Sequence, residues 1–225
     1  MELSRLLQKS PLFSGVDEEN IKKLCDCLDA REKKYAKDEF IFHADDRVRF
    51  VYLILSGSVH IIDEDFWGNR AIIETIEENT LFGEAYVFAS MESHLVSVVS
   101  AEDSVILEMD PTRLFKVCPN GCECHSKLVD NTIPILSEKI VRLTEKYGHI
   151  TRRTIRGKLL SYLSRCARQA HGSSFCIPYS RQQLADFLCV DRSALSHELS
   201  KLKKEGLVQY HKNEFQLLSE AYEGM

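Results

Sequence analysis

No apolar run in this sequence approaches the roughly 20 residues that a helix needs to cross a bilayer. The longest, Phe50 to Ile62, is broken by Ser56, Gly57, Ser58 and His60. The opening MELSRLLQKS has no apolar core and no small-residue cleavage site, so no signal peptide is expected. The expected location is the cytoplasm, with no membrane partner. P-loop and Gly-rich dinucleotide motifs are missing, as is any nucleophile–base–orienter set. These absences point away from an enzyme.

The content of 44% hydrophobic and 28% charged residues over 225 positions suits a globular chain of one large domain or two modest ones. A chain of this length and apolar content needs no disulfide staples and carries no export signal. Its eight cysteines therefore read as reduced thiols.

The net charge of −5 conceals an asymmetry. Ile150 to Lys212 carries 12 Lys/Arg against 4 Asp/Glu, whereas residues 1–149 carry 17 against 27. A basic module joined to an acidic one is the electrostatic footprint expected for a polyanion at one end. Solvated helix faces would give a similar count, so charge alone does not decide.

Three regimes follow along the chain. First, Asp17 can cap a short helix with Ile21, Leu24, Cys25 and Leu28 on one face. Second, about Glu32 to Leu114 reads as strands: FIFHADD, FVYLILSGSVHIID, RAIIETI, HLVSVVSA and DSVILEMD, separated by turn signals such as Ser56-Gly57. Strands of this length and spacing suggest a barrel, sandwich or roll. Third, a helical regime runs almost from Asp110 to Gly206. Its long helix is expected from Cys124 to Tyr147, with a kink at Pro134 and a break at Gly148. Val129, Ile133, Leu136, Ile140, Leu143 and Tyr147 are spaced 4, 3, 4, 3 and 4 apart, an a/d seam that pairs two helices. A single amphipathic helix with its stripe in its own core would look similar.

From Ser180 the chain reads SRQQLADFLCVDRSALSHELSKLKKEGLV. Ser180 is an N-cap with Gln183 at the capping-box position. Leu184, Phe187 and Leu188 form an apolar face, Cys189-Val190-Asp191 fits a tight turn, and Leu195, Leu199 and Leu202 stripe a second helix ended by Gly206. Two helices so joined form a helix-turn-helix, whose second helix enters the major groove. Arg192, Ser193, Ser196 and His197 then meet base edges. Arg181, Gln182 and Lys201 complete the expected DNA-binding set, and Arg181, Lys201, Lys203 and Lys204 suit phosphates. LVQYHKNEFQLL reads as a small β-hairpin wing.

At this point the chain resembles the cyclic-AMP receptor/fumarate-nitrate regulator (CRP/FNR) family over nearly its full length. The matching segments are SPLFSGVDEENIKKL, the pair LILSGSVHI and LFGEAYVF, and the helix-turn-helix just quoted. The resemblance implies an α+β chain with an effector-sensing N-terminal β-roll (a double-stranded, cupin-like β-helix) at 1–121. A dimerisation helix and hinge at 122–149 and a winged helix-turn-helix at 150–225 complete it. It implies a homodimer on palindromic promoter DNA, switched by a small-molecule or redox signal, with RNA polymerase as a candidate partner. The resemblance also places an effector pocket at Gly83, Glu84, Ala85, His94 and Leu95. In the family's cyclic-AMP binders the last two positions are Arg-Ser, and the Arg meets the cyclic phosphate. His94 and Leu95 supply no such counter-charge, so a cyclic nucleotide is disfavoured. Ser193 and His197 also depart from the family's usual Glu and Arg, so the DNA sequence preferred should differ.

Cys118, Cys122, Cys124 and His125 form CPNGCECH. Thiolates so close can hold zinc or an iron–sulfur cluster, or sense redox state, but the spacing matches neither the usual zinc pairs nor the family's cluster motif. Core filler and incidental loop thiols remain the plainer reading. Haem is a minor candidate, with His43, His60, His94 or His125 as ligand. Two rival classes are a ligand-binding regulatory subunit, which needs no basic module, and a cupin metalloenzyme. The second needs a His/Glu cluster that His43 and His60 lack nearby.

Overall fold

The structure is a computed structural model that describes residues 2–67, 70–92, 94–114 and 123–218. The chain divides into two compact units, Met1–Leu136 and Ser137–Met225.

In the first unit, α1 (Glu2–Leu7) and a 3-10 turn at Pro11–Phe13 precede α2 (Glu18–Cys27). Asp17 caps α2, accepting from the Asn20 amide at 2.9 Å. Strands β1 (Arg31–Tyr35), β2 (Phe40–Phe42), β3 (Val51–Ser56), β4 (Val59–Glu64), β5 (Arg70–Ile76) and β6 (Leu81–Phe82) follow. After α3 (Glu84–Phe88) come β7 (Val96–Ser100), β8 (Ser104–Met109) and α4 (Pro111–Leu114). The antiparallel sheets have orders β1-β8-β3-β6 and β2-β7-β4-β5. The consecutive pairs β1/β2, β3/β4 and β7/β8 each change sheet, which makes the unit a roll.

Strand β3 explains why VYLIL is apolar without interruption. Alternate side chains of a strand point to opposite faces. Val51, Leu53 and Leu55 enter a core shared with α1 and α2, whereas Tyr52 and Ile54 enter a second core inside the roll. Both faces are buried, so the period-2 signal vanishes. The turn into β4 needs Gly57, whose φ is +84° and where a Cβ would lie 2.8 Å from the Asp103 carbonyl oxygen.

Helix α5 (Glu123–Ile150) begins in the first unit and ends in the second. His125, Leu128 and Thr132 are buried in its first turns. Lys127 donates to the Gly15 carbonyl at 3.1 Å, and Asn131 to those of Leu12 and Ser14 at 3.0 and 2.8 Å. One expectation changes here. Gly148 does not end the helix, which runs on to Ile150 with Pro134 in its interior. The intrinsic cost of one helical glycine, about 1 kcal/mol, is outweighed by burial of His149 on the next element.

The second unit holds α6 (Ile155–Gln169), β9 (Ser174–Cys176), α7 (Arg181–Phe187), α8 (Arg192–Lys204), β10 (Val208–His211) and β11 (Glu214–Leu217). The small sheet has order β10-β11-β9. Strand β9 interrupts the helical regime expected through to Gly206. It is held by pairing with β11 and by Phe175 stacked on Phe215, with centroids 6.2 Å apart, neither of which a local pattern reveals.

Candidate nucleic-acid interface and effector site

The helix-turn-helix is built from its caps inward. Ser180 and Gln183 form the reciprocal capping box of α7: the Gln183 amide donates to Ser180 Oγ at 3.3 Å and the Ser180 amide to Gln183 Oε1 at 2.8 Å. At its other end, Lys158 Nζ donates to the carbonyls of Leu188 and Cys189 at 3.0 and 3.2 Å, a cation on the negative end of the helix. Cys189 turns the chain with φ +51°. Asp191 then caps α8, its Oδ1 accepting from the Ala194 amide at 2.9 Å and from Ser193 Oγ at 2.5 Å. These bonds favour the ionised form and hold the Asp191 carboxyl below its ordinary value.

Leu195, Leu199 and Leu202 of α8 are fully buried in the second unit's core. Arg192, Ser193, His197, Ser200 and Lys201 are exposed on the other face, with Ser196 half-buried beside them. Arg192 has no partner among the described residues. Lys201 approaches Glu198 at 4.0 Å. Gln182 is exposed and donates to Asp186 Oδ1 at 2.8 Å. Ser200 was missed by the sequence reading, although its spacing of four from Ser196 places it on the same face.

Arg181, expected on a phosphate, packs on the wing strands. Its guanidinium lies 5.1 Å from the Tyr210 centroid and 5.4 Å from that of Phe215, and it donates to the Lys212 carbonyl at 2.9 Å. Burial lowers its pKa. The physical reason is that the wing strands present two rings and a turn carbonyl where the side chain emerges. Arg156 is likewise engaged: it forms a fork on Glu205 at 3.0 and 2.5 Å, which ties α6 to the end of α8.

The roll's interior is aromatic. Tyr52 stacks on Phe82 with centroids 4.9 Å apart and meets Phe42 at 5.7 Å. Gly83, with φ +78°, permits this, because a Cβ there would lie 2.8 Å from Tyr52 Cδ2. Of the expected pocket residues, Gly83, Glu84 and His94 are buried. Ala85 and Leu95 are exposed, Leu95 by 82%, and do not line the interior. The reason lies in direction: Ala85 sits on the outer side of α3, and Leu95 precedes β7 in the loop.

His94 is 3% exposed; its Nδ1 lies 2.8 Å from the Val96 carbonyl, and its Nε2 has no partner among the described residues. An unsatisfied buried acceptor costs about 1–3 kcal/mol. Its ring packs against Tyr86 at 4.6 Å and edge-on to Phe42 at 5.1 Å.

On α5, Ile133, Ile140, Leu143 and Tyr147 are 59–67% exposed, while Val129 and Leu136 are half-buried. Cys118 and Cys122 lie outside the described residues. Cys124 packs partly into the first unit's core, and His125 Nε2 contacts the Arg113 and Leu114 carbonyls at 2.7 and 3.1 Å. Among the described residues, no three His, Cys, Asp or Glu cluster as metal ligands. Of the other haem candidates, His43 stacks on Phe40 at 4.1 Å and His60 contacts Thr75 at 2.9 Å. Among the described residues, no helix is long and apolar enough to cross a membrane.

Residues 32–120 match the family described as the cyclic nucleotide-binding domain, and residues 157–221 the Crp-like helix-turn-helix domain. The chain is 22% identical over 183 residues to the cAMP-activated global transcriptional regulator Vfr of Pseudomonas aeruginosa, covering 78% of this chain and 84% of that one. It is 23% identical over 206 residues to the cyclic AMP receptor protein of Thermus thermophilus, covering 90% of each. Among solved structures, CprK complexed with OCPA aligns at TM-score 0.65 and 14% identity, over 89% of this chain and 92% of that one. The c-di-GMP-responsive global regulator CLP of Xanthomonas campestris aligns at TM-score 0.59 and 18% identity, over 90% and 100%. At these identities the structural likeness establishes the fold.

Proposed function

This chain belongs to the CRP/FNR family of DNA-binding transcription regulators, and on that premise we propose how it works: as a cytoplasmic homodimer on a palindromic promoter site, switched by an effector other than a cyclic nucleotide. Its relatives are regulators rather than enzymes. The observation that carries the reading is α8, whose leucines are fully buried while Arg192, Ser193, His197, Ser200 and Lys201 face outward. In such a helix the first residues read base edges and the later cations hold phosphates.

The apolar seam of α5 supports the dimer. Ile133, Ile140, Leu143 and Tyr147 present a spaced stripe to solvent, and a second copy of α5 would bury it. Two recognition helices then meet half-sites about 34–36 Å apart. The effector acts by population shift, binding the DNA-competent arrangement more tightly than the other. RNA polymerase is the partner through which a promoter-bound dimer would act.

On this reading a cyclic phosphate is disfavoured. Among the described residues, the buried polar and charged groups include Glu84 and His94 but no Lys or Arg. A buried phosphate needs a full counter-charge.

Fluorescence anisotropy on duplex DNA tests the proposal. Affinity should fall steeply with added salt, as counterions are displaced. Arg192→Ala should cost about 1–3 kcal/mol and relax preference at one base pair, whereas Lys201→Ala should weaken all duplexes alike. Affinity that is indifferent to salt, with Arg192→Ala silent, would refute it.

A further inference from the structure

We infer that the roll takes a small, uncharged aromatic molecule that donates an N–H or O–H proton to Nε2 of His94. This rests on the reading of the roll as the effector site and names the class of molecule it admits.

The hydrogen-bond pattern fixes the chemistry wanted. A carbonyl oxygen only accepts, so the 2.8 Å contact from His94 Nδ1 to the Val96 oxygen puts the ring hydrogen on Nδ1. In a neutral ring so hydrogen-bonded, Nε2 is a bare acceptor. That atom is buried and has no partner among the described residues. A group that must accept selects a ligand that donates. Phosphate and carboxylate anions offer only acceptors and would face the lone pair directly.

Charge points the same way. Glu84 is 5% exposed, and the buried groups of the described chain include no Lys or Arg. An anion entering here would lose its hydration with nothing to replace it. The walls set the shape. Tyr86 lies against the His94 ring at 4.6 Å, Phe42 meets it edge-on at 5.1 Å, and Tyr52 and Phe82 continue the aromatic lining. Aromatic rings pair best with another planar ring, stacked or edge-on.

Indole and 1-methylindole form the test pair: one ring system, with and without the N–H. The full-length protein carries 15N-labelled histidine, and the His94 Nε2 resonance is identified by its loss in His94→Phe. Indole should move that resonance in the direction of an accepted hydrogen bond, and 1-methylindole should not. Indole should bind about tenfold more tightly than 1-methylindole, the value of one good hydrogen bond. His94→Phe should abolish that preference, and cyclic AMP should not displace indole.

Three results overturn the proposal: equal binding of the two indoles, cyclic AMP binding more tightly than indole, or an Nε2 resonance already hydrogen-bonded in the free protein and unmoved by indole. The last would assign the site to a buried water. Should His94→Phe fail to fold, the two indoles still discriminate on the unsubstituted protein. DNA affinity measured in parallel separates the layers: its loss would strike the promoter-binding reading and leave the roll result standing.

Discussion

The guanidinium of Arg181 lies over the ring of Tyr210, 5.1 Å from its centroid. The same group reaches Phe215 and the Lys212 carbonyl, so one side chain at the start of α7 closes on both wing strands and the turn between them. Lys203 approaches the Tyr210 ring too, at 5.1 Å. The wing's position relative to α8 thus depends on cations that a sequence reading assigns to DNA.

Arg181→Lys separates the two roles. A lysine keeps the charge but loses the planar fork that stacks and donates together. If Arg181 positions the wing, DNA affinity should fall several-fold while its dependence on salt stays unchanged. A phosphate contact behaves otherwise, because the retained cation still neutralises the phosphate and affinity should hardly change. Titrations at four salt concentrations distinguish these outcomes.

Much of this was legible in the sequence, and the rest was hidden for identifiable reasons. The caps were plain because Asp17 and Ser180 act on neighbours three residues away. The buried stripe of α8 followed from 3.6-residue periodicity. The wing contacts of Arg181 were hidden because its partners, Tyr210 and Phe215, lie about thirty residues on, across a strand pair. Strand β9 was missed because three residues carry no period. Leu95 was placed in the pocket by correspondence with a family position, yet its side chain is 82% exposed. Correspondence fixes a place along the chain but not the direction in which a new side chain points.

Cys189→Gly should stabilise the second unit. Cys189 holds φ +51° after α7, a conformation that costs a residue with a Cβ about 1 kcal/mol and costs glycine almost nothing. Its side chain is exposed, so little packing is lost. Part of the gain is returned through the greater freedom of glycine in the unfolded chain. A net gain of ~0.5 kcal/mol should raise the thermal midpoint by a few degrees at most. A lower midpoint would show that the thiol makes a stabilising contact.

Leu143→Asp should dissociate the dimer without unfolding the chain. Leu143 is 59% exposed, so a carboxylate there stays hydrated in the single chain. In a paired seam it would be buried opposite its symmetry mate. Sedimentation should show the mass of one chain, circular dichroism should be unchanged, and DNA affinity should drop at least tenfold as the second half-site contact is lost. A substituted protein that still sediments as a dimer would place the interface elsewhere.

Acid should loosen the last turn of α5. His149 is buried there, with Nδ1 2.8 Å from Ser161 Oγ and its ring edge-on to Tyr162 at 5.8 Å. Burial, then the nearby Arg152, pushes its pKa below the ordinary 6.5. The unfolded chain therefore takes up this proton before the folded one does. The stability that neutral His149 contributes is fully present above pH 6.5 and is lost as pH falls through that value towards the lower folded pKa. Amide exchange of α6 and α7, measured on the full chain, should quicken between pH 7 and pH 5 after correction for intrinsic rates. His149→Gln, which can still bond Ser161 but cannot charge, should flatten that dependence. An unchanged profile in the glutamine protein would move the acid sensitivity to another group.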